Sequence, residues 1–414
     1  VSTDASSYGA TSTTLSTAIR EKWEADVLKT ATGNAVAAKF SRGKVMGKGE
    51  GGTYTVNRIL RPSKVTSADT EGHIFGYADA KALTTNEIQI TPSKWGDSFG
   101  FTSESNWDSL LQDKDKKDVI ANQMARSCDY QIMKTLATGS MRHRIDKDAN
   151  NQVSGTITTA DTAGTSAIST SLGTNTNALW TTASSYFAGG YMTITSPDGG
   201  CYDETSKVSA WTGAAGSGDA TVAFSNGLTT ASDFRLVVGT DIAASDKLSI
   251  TGLLDVAALH SKVETERFSG GLLRGFLDSA QERDLWDDTT FLDSAIYDNS
   301  DRFRNYKLMR WLDMEFLISS GMYREDVDGT ENPDTGVVYV TPIFGDNSYT
   351  VVKWDSGHGD FAAKFHFVDK PDSGNLRNDM KWISWNARFG SKVLRATSVV
   401  GLMTGATSLN VVGW

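Results

Sequence analysis

Four kinds of short string in this chain have spacings that could support chemistry. Gly96-Asp97-Ser98-Phe99-Gly100 fits G-x-S-x-G, in which a serine on a sharp strand-to-helix turn becomes an acyl nucleophile. That geometry needs a helix starting at once, with acid and histidine partners downstream. Here polar FTSESNWDS follows, the nearest helical pattern begins near Asp113, and only His73 precedes the string. Gly96 and Gly100 are expected to be turn residues, with Ser98 not catalytic. Gly47-Lys48-Gly49-Glu50-Gly51-Gly52 is glycine-rich enough to cradle a phosphate. A phosphate loop, however, runs from a strand into a helix and carries Ser or Thr after its lysine. A strand pattern, GTYTVNRIL, follows this one, so a turn is expected.

Two acidic clusters and a histidine pair complete the inventory. Asp146, Asp148 and Asn150 open like a calcium loop, but Asn151 and Ile157 stand where glycine and glutamate are required. Asp326, Asp328, Glu331 and Asp334 lack that template too. His358 and His366, beside Asp355 and Asp360, have no diagnostic metal spacing. The sequence therefore predicts no catalytic residue, no cofactor and no metal site.

The elements around these strings are more informative. A chain of 414 residues, 39% hydrophobic and 22% charged, is long enough for two or three domains with a sizeable core. Its 40 Lys and Arg against 50 Asp and Glu give a net charge of −10, which disfavours non-specific attraction to a nucleic-acid backbone. The densest basic cluster, Arg142-His143-Arg144, is expected to flank a helix C-terminus, where cations are favoured. Cys128 and Cys201 are too few and too separated for a disulfide framework and read as free thiols. The first residues, VSTDASSYGATSTT, do not read as a signal peptide, and a start at Val1 fits Met removal or proteolytic maturation. No apolar run is long enough to span a membrane.

Residues 115–139 read as one long helix. Asp115 and Asp118 have capping-box spacing, and Gly139 stands where a helix is commonly ended. Ile120, Met124, Cys128, Ile132 and Leu136 recur every four residues, widened by Ala121 and Ala125. Gln123, Arg126, Tyr130 and Lys134 take the other side. The rod would be roughly 35 Å long. Before it come an arm over 1–13, a helix marked by Leu15, Ile19, Trp23 and Val27, and two strands over 52–60 and 83–91. The segment between those strands is polar and turn-rich. Such a hairpin has too few apolar residues for its own core; it either lies across a neighbouring subunit or folds back on its own domain.

After the long helix the composition changes. Between Lys147 and Arg235 the only basic residue is Lys207. Strand-like runs at 191–195, 207–211, 221–224 and 234–238 suggest a β-rich insert over about 141–250, with Trp180, Phe187, Tyr191, Trp211, Phe224 and Phe234 as its core. Beyond it, 253–267 reads as a helix and 271–277 as a buried strand. A helical turn begins near Ser279, Leu312 to Ile318 alternates as a strand, and further strands cover 336–342, 349–354 and 361–367.

Several strings carry a resemblance: GGTYTVNRILRP, WGDSFGFTSES, RGFLDSAQERDLWDD, LMRWLDMEFLISSGMYRE, VVYVTPIFGDNSYTVV and DMKWISWNARFGSKVLRATSVVGL. In this order they resemble the tailed-phage major capsid fold (the HK97 fold), and more closely the capsid-protein family named for coliphage N-four. The resemblance covers about three quarters of the chain. It implies an α+β protein with an N-terminal arm and helix over 1–48, an extended loop over 49–102 and a peripheral domain with its spine helix over 103–140. The β-rich insert follows over 141–250, an axial domain over 251–354, and a return to the peripheral domain over 355–414. It further implies a non-enzymatic structural protein of the virion, assembled in the host cytoplasm into hexamers and pentamers of an icosahedral shell around double-stranded DNA. Partners would be further copies of itself, with scaffolding, cement and portal proteins, without sequence-specific DNA binding and without a membrane. Assembly contacts would fall on Tyr54, Val56, Arg58, Arg61, Lys64 and Glu71 of the loop, with Met124 and Ile132 on the spine. Some relatives cross-link Lys to Asn; Lys64 is a candidate donor, although no partner is marked. The alternative is a surface adhesin or glycan-binding protein using the insert.

Overall fold

The expected apolar stripe is a buried helix face. In the computed structural model, Asp113–Gly139 form helix α1, and Ile120, Ala121, Met124, Ala125, Cys128, Ile132 and Leu136 are all buried, joined by Met133 and Ala137. The structure describes residues 36–47, 50–59, 85–102, 113–146, 152–158, 164–171, 186–195, 202–214, 217–224, 232–240, 242–289, 310–311, 313–319, 321–354, 361–368 and 380–407. The arm, the helix at Leu15 to Val27, the acidic string after Asp146, Trp180, Cys201, Asp355, His358 and Asp360 lie outside the described residues.

The start of α1 needs correction, whereas its end falls at Gly139 as expected but for a different reason. The helix begins at Asp113, so Asp115 and Asp118 lie inside it rather than forming its cap. Gly139 is not in the left-handed conformation that ends a helix; a Cβ there would sit 2.8 Å from Cγ2 of Val393, so glycine serves a close approach. Gln123 also differs from expectation. Its amide donates to Asp97 at 2.9 Å and accepts from the Trp385 indole at 2.6 Å, which ties the helix to a sheet.

The chain divides into two units. The first comprises Val1–Tyr54, Ile90–Ile132 and Thr350–Ser391. Its five-stranded sheet joins Arg42–Met46, Tyr349–Trp354, Met380–Val393 and Lys364–Val368 in that order, with Ser93–Thr102 also paired to Met380–Val393. Ile383, Trp385, Ala387 and Phe389 alternate with more exposed neighbours, as a strand with one covered face requires. Asp129 of α1 anchors the preceding chain, accepting the backbone N–H of Val36 at 2.9 Å and of Ala37 at 3.1 Å, where a short 3-10 helix starts. Burial pushes the Asp129 carboxyl up to about 6 against the opposing pull of those two N–H donors. Because this exceeds the unfolded value of 3.8, the group's stabilisation is complete below that pH and is lost as pH rises through 6. Unfolding free energies measured at pH 4 and pH 7 should therefore fall by on the order of 2–3 kcal/mol more in the wild type than in Asp129→Asn. Equal falls would remove this reading.

The second unit comprises Thr55–Gln89, Met133–Tyr349 and Lys392–Trp414. One seven-stranded sheet orders Arg310–Trp311, Met314–Ile318, Leu273–Leu277, Val338–Phe344, Val399–Thr404 and Met141–Arg144, with Arg324–Glu325 at its side. Two helices accompany it, as the sequence suggests: α2 (Ile250–Val263), capped by Ser249, and α3 (Ser279–Trp286), closed by a capping box from Asp278 and Gln281. Leu253, Val256, Leu273, Leu277, Leu285, Phe316, Ile343 and Leu402 share one core there.

The insert forms a separate sheet from contiguous chain. Seven antiparallel strands run in the order Ala210–Ala214, Ser217–Phe224, Gly164–Ser171, Gln152–Ile157, Asp233–Val237, Tyr191–Ile194 and Thr205–Lys207. Phe187, Trp211, Phe224 and Phe234 fill its core, as expected. The expected strand over 207–211 is instead two, because the chain changes partners at Val208 and Ser209. That change makes the two edge strands consecutive. Ser206 Oγ exchanges hydrogen bonds with the Ala223 backbone, so the sheet rolls until its ends meet and leaves little bare edge. Gln152–Ile157 and Gly164–Ser171 carry too few apolar residues to be read as strands from sequence.

The last piece is a ribbon. Tyr54–Ile59 pairs with Thr85–Ile90 as a two-stranded sheet that, among the described residues, has no third strand.

Candidate functional site

The ribbon has two unlike faces. Arg58, Asn86, Ile88 and Ile90 are buried, while Thr55, Asn57, Ile59, Thr85, Glu87 and Gln89 are exposed. Ile59 is 58% exposed, a large apolar side chain at the end of its strand. Tyr54 and Val56 are half-buried, and the Lys44 ammonium lies 5.7 Å from the Tyr54 ring centroid.

Arg58 does more inside the chain than the sequence suggests. Its guanidinium donates to the carbonyls of Leu394 and Tyr202, each at 2.5 Å, and pairs with Asp203 at 3.4 Å. Asp203, in the left-handed region at φ 66°, also accepts from the backbone and hydroxyl of Thr397. Burial pulls the Arg58 pKa below its ordinary value, with Asp203 opposing. This anchor roots the ribbon in its own unit. Arg61, Lys64 and Glu71 lie outside the described residues. Met124 and Ile132 are fully buried in α1, so they act as core.

GDSFG is neither a nucleophile elbow nor a turn. It lies in the middle of Ser93–Thr102, paired antiparallel from Ser93↔Phe389 to Thr102↔Met380. Gly96 is required by approach: a Cβ there would stand 2.5 Å from the Trp385 carbonyl oxygen. At Gly100 it would meet the Trp382 ring at 2.9 Å. Ser98 stands opposite Ser384, which stands opposite His366 on the next strand, so no histidine neighbours the serine in the ladder.

The Arg142-His143-Arg144 triplet also departs from expectation. It is a buried strand, Met141–Arg144, parallel to Val399–Thr404, rather than the flank of a helix end. Arg142 pairs with Glu325 at 2.8 Å, both fully buried, and its guanidinium lies 4.1 Å from the Tyr191 ring centroid. The Tyr191 hydroxyl donates to the same carboxylate oxygen at 2.8 Å. Arg144 pairs with Asp146 and donates to the carbonyls of Val238 and Thr240. Charges here hold the start of the insert to the rest of its unit. Sequence reasoning missed them because Glu325 is 183 residues from Arg142.

The acidic loop at Asp326 is organised by its own hydrogen bonds. Asp326 accepts from the Asn332 amide, Asp328 from the Thr330 backbone, and Lys134 pairs with Glu331 at 2.5 Å. Among the described residues, no cluster of His, Cys, Asp and Glu is arranged to hold a metal.

No protein-family model matches the chain, and no curated protein matches it. Solved structures that it resembles are phage capsids. The capsid of Ralstonia phage GP4 matches at a TM-score of 0.48 and 10% identity, covering 91% of this chain and 89% of that one. The Cyanophage Pam1 capsid asymmetric unit matches at 0.47 and 10%, covering 88% of each. The capsid structure of Cyanophage P-SCSP1u matches at 0.46 and 10%, covering 89% and 87%.

Proposed function

We propose that this chain is the major capsid protein of a tailed bacteriophage, a structural protein that assembles with copies of itself into an icosahedral shell around double-stranded DNA. The carrying observation is the ribbon, a two-stranded sheet rooted by Arg58 that leaves Ile59 and Glu87 exposed. Its inner face, with Arg58, Asn86, Ile88 and Ile90, is already buried, so what a neighbouring subunit would cover is the outer face of Thr55, Asn57, Ile59, Glu87 and Gln89. The order of sequence strings resembling the HK97 fold supports the same reading. In it, the ribbon together with residues 60–84 belongs to the extended loop and α1 is the spine helix. The segment over about 251–350 forms the axial domain, and the chain after 355 returns to the peripheral domain. The insert is an added module of the subunit, and no active site is required.

The test is the size of the native particle. The purified full chain should form monodisperse particles of megadalton mass in light scattering and closed shells in negative-stain micrographs. A chain that stays monomeric across concentration and ionic strength overturns the proposal.

A further inference from the structure

The five-stranded sheet has one face turned towards α1 and a second that carries an unusual set of side chains. Register puts Lys94 directly opposite Arg388, and Lys364 opposite Asn386 on the other flank of the same strand. His366 and Trp382 share that face, and the side chains of Lys94, Lys364, His366, Trp382 and Arg388 are all exposed. Arg388 lies 5.0 Å from the ring centroid of Trp354. Among the described residues of the strands Ser93–Thr102, Lys364–Val368 and Met380–Val393, none on this face is a carboxylate. Like charges directly across a ladder repel each other, so the isolated chain bears a cost here that an anionic partner would remove.

The rest of the charge is distributed to match. The first unit holds 18 Lys and Arg against 17 Asp and Glu, a net of +1. The second holds 22 against 33, a net of −11. The negative charge of the whole chain therefore resides in one unit, while the other exposes a basic, aromatic sheet face. Copies of a uniformly acidic protein would repel each other, and this division gives them an attractive orientation.

We propose that the Lys94–Lys364–Arg388 face docks on a carboxylate-rich surface of a second copy of this chain, contributed by that copy's acidic unit. The proposal rests on the capsid reading, which supplies the second copy. The occupant is a protein carboxylate surface rather than DNA because the chain itself carries the complementary charge. The test mixes isotopically heavy and light full-length chains, lets them associate, and applies a zero-length carbodiimide that joins lysine to carboxylate. Heavy-to-light cross-links should connect Lys94 or Lys364 with Asp or Glu of residues 55–89, 133–349 or 392–414. Lys94→Glu with Lys364→Glu, two exposed changes that should leave the thermal unfolding curve in place, should cut particle yield about tenfold at moderate salt. Particles that form normally in this double variant and lack those cross-links overturn the docking and leave the capsid reading standing. Protection of Lys94 and Lys364 from acetylation by added duplex DNA, without such cross-links, overturns it in favour of a phosphate partner. A chain that never associates overturns both.

Discussion

Replacing Arg142 with methionine should lower the unfolding free energy by about 3–5 kcal/mol, and adding Glu325→Leu should return most of that loss. The asymmetry follows from burial. Arg142 and Glu325 are fully buried 2.8 Å apart, so taking away the guanidinium leaves a carboxylate with no water and no counter-charge. Removing both charges eliminates the desolvation cost together with the attraction. Tyr191, which donates to Glu325, is also hydrogen-bonded to Tyr323 and keeps that partner in the double variant. Burial, the leading cause, holds both phenols well above their ordinary values, so they remain neutral donors across the working pH range. Urea unfolding of the wild type, both single variants and the double variant completes the cycle. A double variant as unstable as Arg142→Met would show that packing around the arginine, not its charge, is what matters.

The second large effect belongs to α1. Met124→Asp should abolish both the cooperative thermal transition and particle formation, and Ile132→Asp should do the same. Each residue is completely buried. The substitution forfeits about 1.5–3 kcal/mol of apolar burial and places an unpaired carboxylate in the core. The total is comparable with the 5–15 kcal/mol that stabilises a typical domain. Lys134→Ala is the control from the same helix. Its ion pair with Glu331 joins two side chains each about a third exposed, so the expected cost stays under about 1 kcal/mol. Circular dichroism melts and particle yield together check all three. Normal assembly of either aspartate variant would show that α1 is not the spine.

These contrasts also show what could be read in advance. The α1 stripe was legible because Ile120, Met124, Cys128 and Ile132 alternate with Asn122, Arg126, Tyr130 and Lys134, a rhythm that fits a helix face and not a strand face. The helix expected over 253–267 runs Ile250–Val263 behind a Ser249 cap that the expectation did not use, and the one near Ser279 begins at that residue. The two ribbon strands were legible from their local pattern as well. What failed was everything decided by distant chain. Arg142-His143-Arg144 looked solvated because its carboxylate, Glu325, is remote, and only the short run from Met141 to Ile145 after Gly139 hinted at a strand. GDSFG looked like a turn because glycine usually marks one; the need to clear the Trp385 carbonyl and the Trp382 ring appears only once the strands are paired. Gln152–Ile157 was missed because only Val153 and Ile157 of it reach the core, and the pairing of Gly164–Ser171 with Ser217–Phe224 is decided some fifty residues further along the chain. Of the candidate contacts, Tyr54, Val56 and Arg58 lie on the ribbon, and the anchoring of Arg58 by Tyr202, Asp203 and Leu394 could not be foreseen.

The strand pairings carry a consequence for the order in which the molecule is made. Arg42–Met46 must wait for Thr350, Ser93–Thr102 for residues 380–389, and Met141–Arg144 for residues 400–403. A ribosome delivering the chain from its N-terminus therefore holds three unpaired strands through most of synthesis. The rolled sheet of the insert, complete by residue 237, has all its partners early and can close while the remainder is still being translated. Loss of the last few dozen residues would consequently do more harm than its length suggests. A chain stopped at residue 379 would keep a folded insert yet leave two sheets without a central strand, and would be expected to aggregate rather than persist as a smaller soluble protein.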